Sequence, residues 1–181
     1  MHKEQRDFCE QVKRQIPYMF CRKKILDVGS LDVNGTNRYL FEACNYTGLD
    51  LGEGKNVDVV CPIHLYMEQD NFFDTIISTE CFEHDMYFKE SIKNIVRMLR
   101  PGGLFLFTCG TTGRPRHGTA DTESGDSPFT AEIEGWKDFY GEITEKSVRE
   151  SIDVNETFLL YQFHLDSIFC PGDIRFWGIK K

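Results

Sequence analysis

A chain of 181 residues with a 40% hydrophobic fraction is long enough for one domain with a substantial core, so a single domain over 1–181 is expected. Its formal net charge of −8 repels phosphate backbones and excludes nucleic acid as a default partner, unless a local basic patch such as Arg114, Arg116 and His117 overrides it. No run approaches the roughly 20 apolar residues of a membrane span, and the first residues are too charged for a signal peptide, so a cytoplasmic protein without membrane insertion is expected.

Taken in chain order, residues 3–16 predict a polar helix with a thin apolar face (Phe8, Val12, Ile16), stopped by Pro17, within an N-terminal segment 1–20. Lys24 to Ser30 reads as a short apolar strand ending in a glycine turn. Residues 36–44 predict a helix, and Asn45 to Leu51 a second strand ending in an acid. Asn56 to Cys61 reads as a third strand broken by Pro62, followed by a short helix over 64–69. Phe73 to Ser78 is the fourth strand. Residues 86–99 predict an amphipathic helix with Ile92, Ile95, Val96 and Leu99 on one stripe. Pro101-Gly102-Gly103 is a sharp turn before a fully apolar fifth strand, Leu104 to Cys109.

The stretch from Gly110 to Gly135 is rich in Gly, Thr, Ser, Pro and charge, and its length marks it as a functional loop, with 111–135 the candidate active-site segment. Thr144 caps a helix to Ile152. Two late strands, Thr157 to Phe163 and Asp173 to Ile179, read as antiparallel neighbours. Strands alternating with helices imply an α/β, Rossmann-like three-layer sandwich built on a mostly parallel sheet. The seven Cys form no C-x-x-C pair and read mostly as small core residues in a reducing compartment.

Two constellations carry chemistry. The first is the turn Asp27-Val28-Gly29-Ser30 with Asp50 after the next strand. Gly29 lets backbone approach a ligand, Asp50 can accept both hydroxyls of a ribose, and ligands in such sheets sit outside the carboxyl ends of the strands. The G-x-G-x-x-G loop of dinucleotide sites is missing, which points to a cofactor without phosphates and away from a nicotinamide. The second is Ser78-Thr79-Glu80-Cys81-Phe82-Glu83-His84-Asp85. If the chain turns helical there, Glu80, Glu83 and His84 share one face and suit a divalent cation. The plainer reading is a solvated helix N-terminus, where acids are favoured.

Taken together, Asp27-Val28-Gly29, Asp50, the acidic end of strand four and Leu99-Arg100-Pro101-Gly102-Gly103-Leu104 resemble the class I S-adenosylmethionine-dependent methyltransferases over nearly the whole chain. The resemblance implies a seven-stranded sheet whose last strand runs antiparallel. It implies S-adenosyl-L-methionine held by Asp27, Gly29 and Ser30 at its methionine part, Asp50 at the ribose, and Leu51 and Ile63 at the adenine. The E-x-x-E-H spacing of Glu80, Glu83 and His84 is similar to that of metal-dependent O-methyltransferases, in which a later histidine completes the site, and His117 stands in that place. The expected activity is methyl transfer to a hydroxyl of a small polar or carbohydrate acceptor, a sugar or glycan, assisted by Mg or Mn. Without a metal, His84 or His117 becomes the candidate general base. The alternatives are an RNA ribose 2′-O-methyltransferase and a non-catalytic partner protein of the same fold. His64 and His164 read as structural and Trp177 as core; Trp136, Phe139 and Tyr140 form an aromatic cluster read as core, the alternative being a stack on a sugar face or ring, and Asp121, Glu123 and Asp126 read as solvated loop acids, the alternative being to orient a polar substrate.

Overall fold

The computed structural model describes residues 3–165 and 172–181. Helix α1 (Lys3–Gln15) leads into strand β1 (Lys24–Val28), followed by β2 (Asn45–Asp50), β3 (Val59–Val60) and β4 (Phe73–Thr79). Helix α2 (Phe88–Met98) runs directly into β5 (Leu99–Gly110). The long connection then carries a 3-10 turn, Ser124–Asp126, and one short helix, α3 (Pro128–Glu132). Helices α4 (Glu145–Ser151) and α5 (Val154–Thr157) precede β6 (Phe158–Leu165) and β7 (Asp173–Lys180).

The strands form one seven-stranded sheet in the order β3-β2-β1-β4-β5-β7-β6. Strands β1 to β5 pair in parallel, and β7 runs antiparallel between β5 and β6. The expected α/β Rossmann-like sheet with an antiparallel last strand is therefore present. Its order reverses between β1 and β4, which places the functional cleft at their carboxyl ends.

Side chains of the central strands alternate between two apolar layers. Ile25, Ile77, Leu104, Leu106 and Trp177 pack with Phe8, Cys9 and Val12 of α1. Leu26, Ile76, Phe105, Phe107 and Phe176 face Ile92, Ile95 and Met98 of α2 and Val148 of α4. Phe82 lies within the second layer, with ring centroids 5.3 Å from Phe107 and 5.4 Å from Phe88. It thereby ties the loop after β4 to the core. Thr144 caps α4 in a reciprocal box, accepting from Ser147 N at 3.1 Å and donating its own N–H to Ser147 Oγ at 2.8 Å.

Several expected elements shrink. The helix over 36–44 is a single 3-10 turn, Asn37–Leu40. The Asn37 side chain is buried and bonded to Asp27 and Thr79, and Ala43 takes a left-handed φ of +50°, which stops propagation. The helix over 64–69 is likewise one turn, Ile63–Leu65, because the Asn94 amide takes up the carbonyls of Ile63 (2.6 Å) and Tyr66 (2.9 Å). The third strand shortens to two residues. The Pro101-Gly102-Gly103 turn lies inside β5 as a register break opposite Phe73 to Thr75, with Gly102 at φ +72°.

Of the cysteines, Cys9 and Cys109 are buried as expected of core residues, Cys21 is exposed, Cys44, Cys61 and Cys81 are half-buried, and Cys170 lies outside the described residues. Trp177 is buried, His64 stacks on Tyr87 at 4.2 Å, and His164 meets Phe8 edge-on at 5.4 Å. No helix among the described residues is long and apolar enough to cross a membrane.

Candidate functional site

A cleft of about 670 Å³ opens at the carboxyl ends of β1, β2 and β4. Asp27, Gly29, Ser30, Asp50, Leu51 and Ile63 all line it, so the residues expected at a cofactor share one cavity.

The turn after β1 is tight. Both Gly29 N and Ser30 N donate to Leu49 O, at 2.9 and 3.1 Å. Gly29 has φ +74°, and a Cβ there would lie 2.6 Å from Cys81 Cβ. Only glycine meets both demands. Asp50 accepts from Leu31 N at 2.9 Å and Leu51 N at 2.8 Å, which fixes its carboxylate across the cleft floor with lone pairs to spare. Burial raises its pKa. Ser30 turns its buried hydroxyl toward the β2 backbone, since a Cβ on Gly48 would meet Ser30 Oγ at 2.8 Å.

Asp27 is buried at the cleft's inner end, where Asn37 Nδ2 donates to it at 2.9 Å and the Tyr46 hydroxyl donates to its other oxygen. Burial outweighs these two donors and pushes its pKa up to about 7.

The long loop folds back over this cleft. Phe129 of α3 sits on the backbone after β2, so that a Cβ on Gly52 would lie 2.6 Å from its ring. Its side chain lines the cavity beside Leu51. No periodicity flags this contact in the sequence; an aromatic one residue after Pro128 in a loop facing two glycines, Gly52 and Gly54, is the only trace. Phe129→Ala should weaken S-adenosylhomocysteine binding about fivefold, the worth of one aromatic contact of about 1 kcal/mol, with unchanged thermal unfolding. Calorimetric titration checks it, and equal affinity would remove Phe129 from the site.

The segment after β4 is not helical at Glu80, which has a left-handed φ of +51°. A 3-10 turn, Phe82–His84, follows. The premise of one helix face therefore fails, and Glu80 separates from the others. One Glu80 oxygen accepts from Thr108 at 3.0 Å and the other pairs with Arg114 at 3.4 Å. Arg114 also pairs with buried Asp173 at 2.6 Å, and Arg116 pairs with Asp121 at 3.0 Å. The arginines of the supposed basic patch are thus matched to acids.

Glu83, His84 and His117 do come together: one ligand atom from each lies within 4.8 Å of the others. The loop delivers His117 through Gly118, whose φ of +63° and lack of a Cβ let the backbone approach the His84 ring. A Cβ there would lie 2.6 Å from His84 Cε1. His117 is oriented by Nδ1 against Pro115 O at 3.0 Å.

Glu83 is wholly buried and accepts from Gly110 N at 2.9 Å through one oxygen. Its other oxygen and His84 Nδ1 are buried without a hydrogen-bond partner among the described residues. Burial, reinforced by Glu80, raises the Glu83 pKa well above the usual carboxylate range. Burial, with the neighbouring His117 and Arg114, depresses His84 to about 3. A buried acid and a neutral imidazole, each with one polar atom left unmet among the described residues, are what a cation would satisfy. As a general base His84 would be too weak near neutral pH.

Residues 26–107 match the family model described as a methyltransferase domain. No curated protein matches by sequence. Among solved structures, the chain is similar to the 1,6-didemethyltoxoflavin-N1-methyltransferase of Burkholderia thailandensis, with TM-score 0.66 and 16% identity over 99% of this chain and 79% of that one. A phosphoethanolamine N-methyltransferase of Haemonchus contortus gives TM-score 0.59 and 21% identity over 87% of this chain and only 38% of its own. A Pyrococcus horikoshii protein gives TM-score 0.62 and 16% identity over 99% and 92%. The fold is thus the Rossmann-like fold of methyltransferases, and the first two of these neighbours were solved with S-adenosylhomocysteine bound.

Proposed function

We propose that this chain is an S-adenosylmethionine-dependent O-methyltransferase that acts on a hydroxyl of a small polar acceptor, a sugar or glycan, with a divalent cation at Glu83, His84 and His117. The match over residues 26–107 and the shared fold support the methyltransferase reading. The observation that carries the rest is the convergence of the Glu83, His84 and His117 ligand atoms within 4.8 Å, two of these residues holding buried unpartnered atoms. An oxygen and nitrogen ligand set suits Mg²⁺, Mn²⁺ or a similar ion. The names of two neighbours refer to nitrogen acceptors, so oxygen as the target rests on this site and not on them.

In this reading Asp27 faces the methionine part of the cofactor, Asp50 holds the ribose and Gly29 gives the ligand room. Phe129 covers the face near Leu51, and the loop excludes water. When bound, S-adenosylmethionine supplies an electrophilic methyl group. A divalent cation would supply Lewis acidity that lowers the pKa of an acceptor hydroxyl. Glu83 and His84 come from one rigid turn anchored by Phe82, whereas His117 arrives on the loop, so loop closure completes the ligand set.

Mn²⁺ titration of wild type and His117→Ala, each with S-adenosylhomocysteine, tests this. The variant should lose about tenfold or more in Mn²⁺ affinity, since each direct ligand counts for at least as much as an outer-shell partner, and should keep its cofactor affinity. A wild-type protein that binds cofactor and no Mn²⁺ would sink the metal part and leave the methyltransferase reading standing.

A further inference from the structure

The geometry points to Tyr140 as a fourth member of the Glu83–His84–His117 centre: with a cation held there, its hydroxyl would donate a hydrogen bond to an oxygen ligand supplied by water or by the acceptor. The inference rests on the metal reading above.

Three observations carry it. First, the chain just after Tyr140 is fastened to the site by two backbone hydrogen bonds. Gly141 N donates to Glu83 O at 2.7 Å, and Ile143 N donates to Gly110 O at 3.2 Å. These bonds run to the residue that supplies the buried carboxylate and to the residue that hydrogen-bonds it. Second, the ring packs edge-on against both imidazoles, with centroids 5.5 Å from His84 and 5.0 Å from His117. Tyr140 touches the two histidines at once, although they come from different segments. Third, the hydroxyl itself is shielded from solvent and has no hydrogen-bond partner among the described residues.

That hydroxyl lies beside Gly110, where a Cβ would meet Tyr140 Oη at 2.5 Å and Glu83 Oε1 at 3.3 Å. The lack of a side chain at Gly110 is what admits the tyrosine. Glu83 Oε2, His84 Nδ1 and Tyr140 Oη are thus three buried polar atoms in one neighbourhood, each without a hydrogen-bond partner among the described residues. Each such atom has given up its hydration with nothing in return unless a ligand meets it. Carboxylate and imidazole suit a cation, whereas a phenol hydroxyl beside them would suit an oxygen ligand of that cation, because it donates while remaining neutral. Burial raises the Tyr140 pKa, in keeping with a neutral donor. The aromatic role expected from the sequence divides accordingly: Trp136 joins His64 and Tyr87 at the cleft rim, with centroids 6.4 and 5.6 Å away, while Tyr140 turns to the centre.

Tyr140→Phe removes the hydroxyl and keeps the ring. The experiment is Mn²⁺ titration followed by electron paramagnetic resonance of the free ion, on wild type and Tyr140→Phe, with S-adenosylhomocysteine affinity and thermal unfolding measured on both. The expected result is an Mn²⁺ affinity about tenfold weaker in the variant, at the lower end of what outer-shell partners contribute, with cofactor affinity and unfolding unchanged. An Mn²⁺ affinity within twofold of wild type overturns the assignment. So does a variant that loses stability and cofactor binding together with metal, which would make Tyr140 a packing residue. If wild type itself binds no Mn²⁺, the metal reading fails and takes this assignment with it; a wild type that binds while the variant binds equally well defeats the tyrosine alone.

Discussion

Gly29→Ala should weaken S-adenosylhomocysteine binding about 100-fold or more, a loss of about 2.7 kcal/mol. Two costs add at this position. The backbone has φ +74°, which costs a residue with a Cβ roughly 1–2 kcal/mol. The new methyl would also stand 2.6 Å from Cys81 Cβ and 2.7 Å from its sulfur. Neither neighbour can yield freely. The Gly29 turn is bonded through two N–H groups to Leu49 O, and Cys81 follows Glu80 at its own left-handed bend, just before the buried turn anchored by Phe82. Relief must come from moving the turn into the cleft, where the cofactor would lie. Cys81→Ala should not rescue, because its Cβ remains. Cys81→Gly in the Gly29→Ala background should recover part of the affinity, since it removes the collision and leaves the backbone cost. Titration calorimetry on the single and double variants reads this coupling. If Gly29→Ala binds within threefold of wild type, the turn is soft and Gly29 is not a close-approach residue.

The same pair of residues shows how far the sequence could be read. Asp27-Val28-Gly29, Asp50 and the strands that end in them were legible because their signals are local: an apolar run, a turn residue, an acid in register. All six expected cofactor residues line one cleft for that reason. Glu83 and His84 also meet His117, but not by the route that i, i+3, i+4 spacing suggests. Glu80 adopts φ +51° and turns to Thr108 and Arg114, and spacing cannot foresee a left-handed acid. The helix expected over 36–44 is lost to the buried Asn37 side chain, bonded to Asp27 and Thr79, and to the left-handed Ala43, which no propensity encodes. Phe129 and Tyr140 lie in or just beyond a loop without periodicity. Their places are set by glycines on other elements, Gly52 and Gly110, whose missing side chains are visible only in three dimensions.

Cofactor affinity should rise about tenfold per pH unit as pH increases toward 7, and then level off, with Asp27 as the titrating group. Asp27 is buried, and burial lifts its pKa to about 7 despite donors from Asn37 and Tyr46. In the proposed arrangement it faces the methionine part of the cofactor, whose ammonium favours the ionised carboxylate. Below about pH 7 binding must therefore expel a proton, and affinity climbs with pH; above it the carboxylate is already charged. Stability moves the other way. A folded-state pKa raised above the unfolded value of 3.8 gives a contribution that is fully present below that value and is lost as pH rises through about 7. The cofactor-free protein should thus melt lower at pH 8 than at pH 6 on account of this one group. Asp27→Asn separates the two effects. The amide removes the ionisation penalty, and the Tyr46 hydroxyl can turn from donor to acceptor to meet it. At pH 8 the variant should melt higher than wild type, by about 2–4 °C for each kcal/mol of penalty removed. It should also bind S-adenosylhomocysteine about 30-fold more weakly at pH 7.5, the loss of roughly 2 kcal/mol from one charge-assisted contact, and show no pH slope between 5.5 and 7. Calorimetry at four pH values, with melting curves at pH 6 and 8, decides the matter. A variant that keeps the wild-type pH slope would place the titrating proton on another residue.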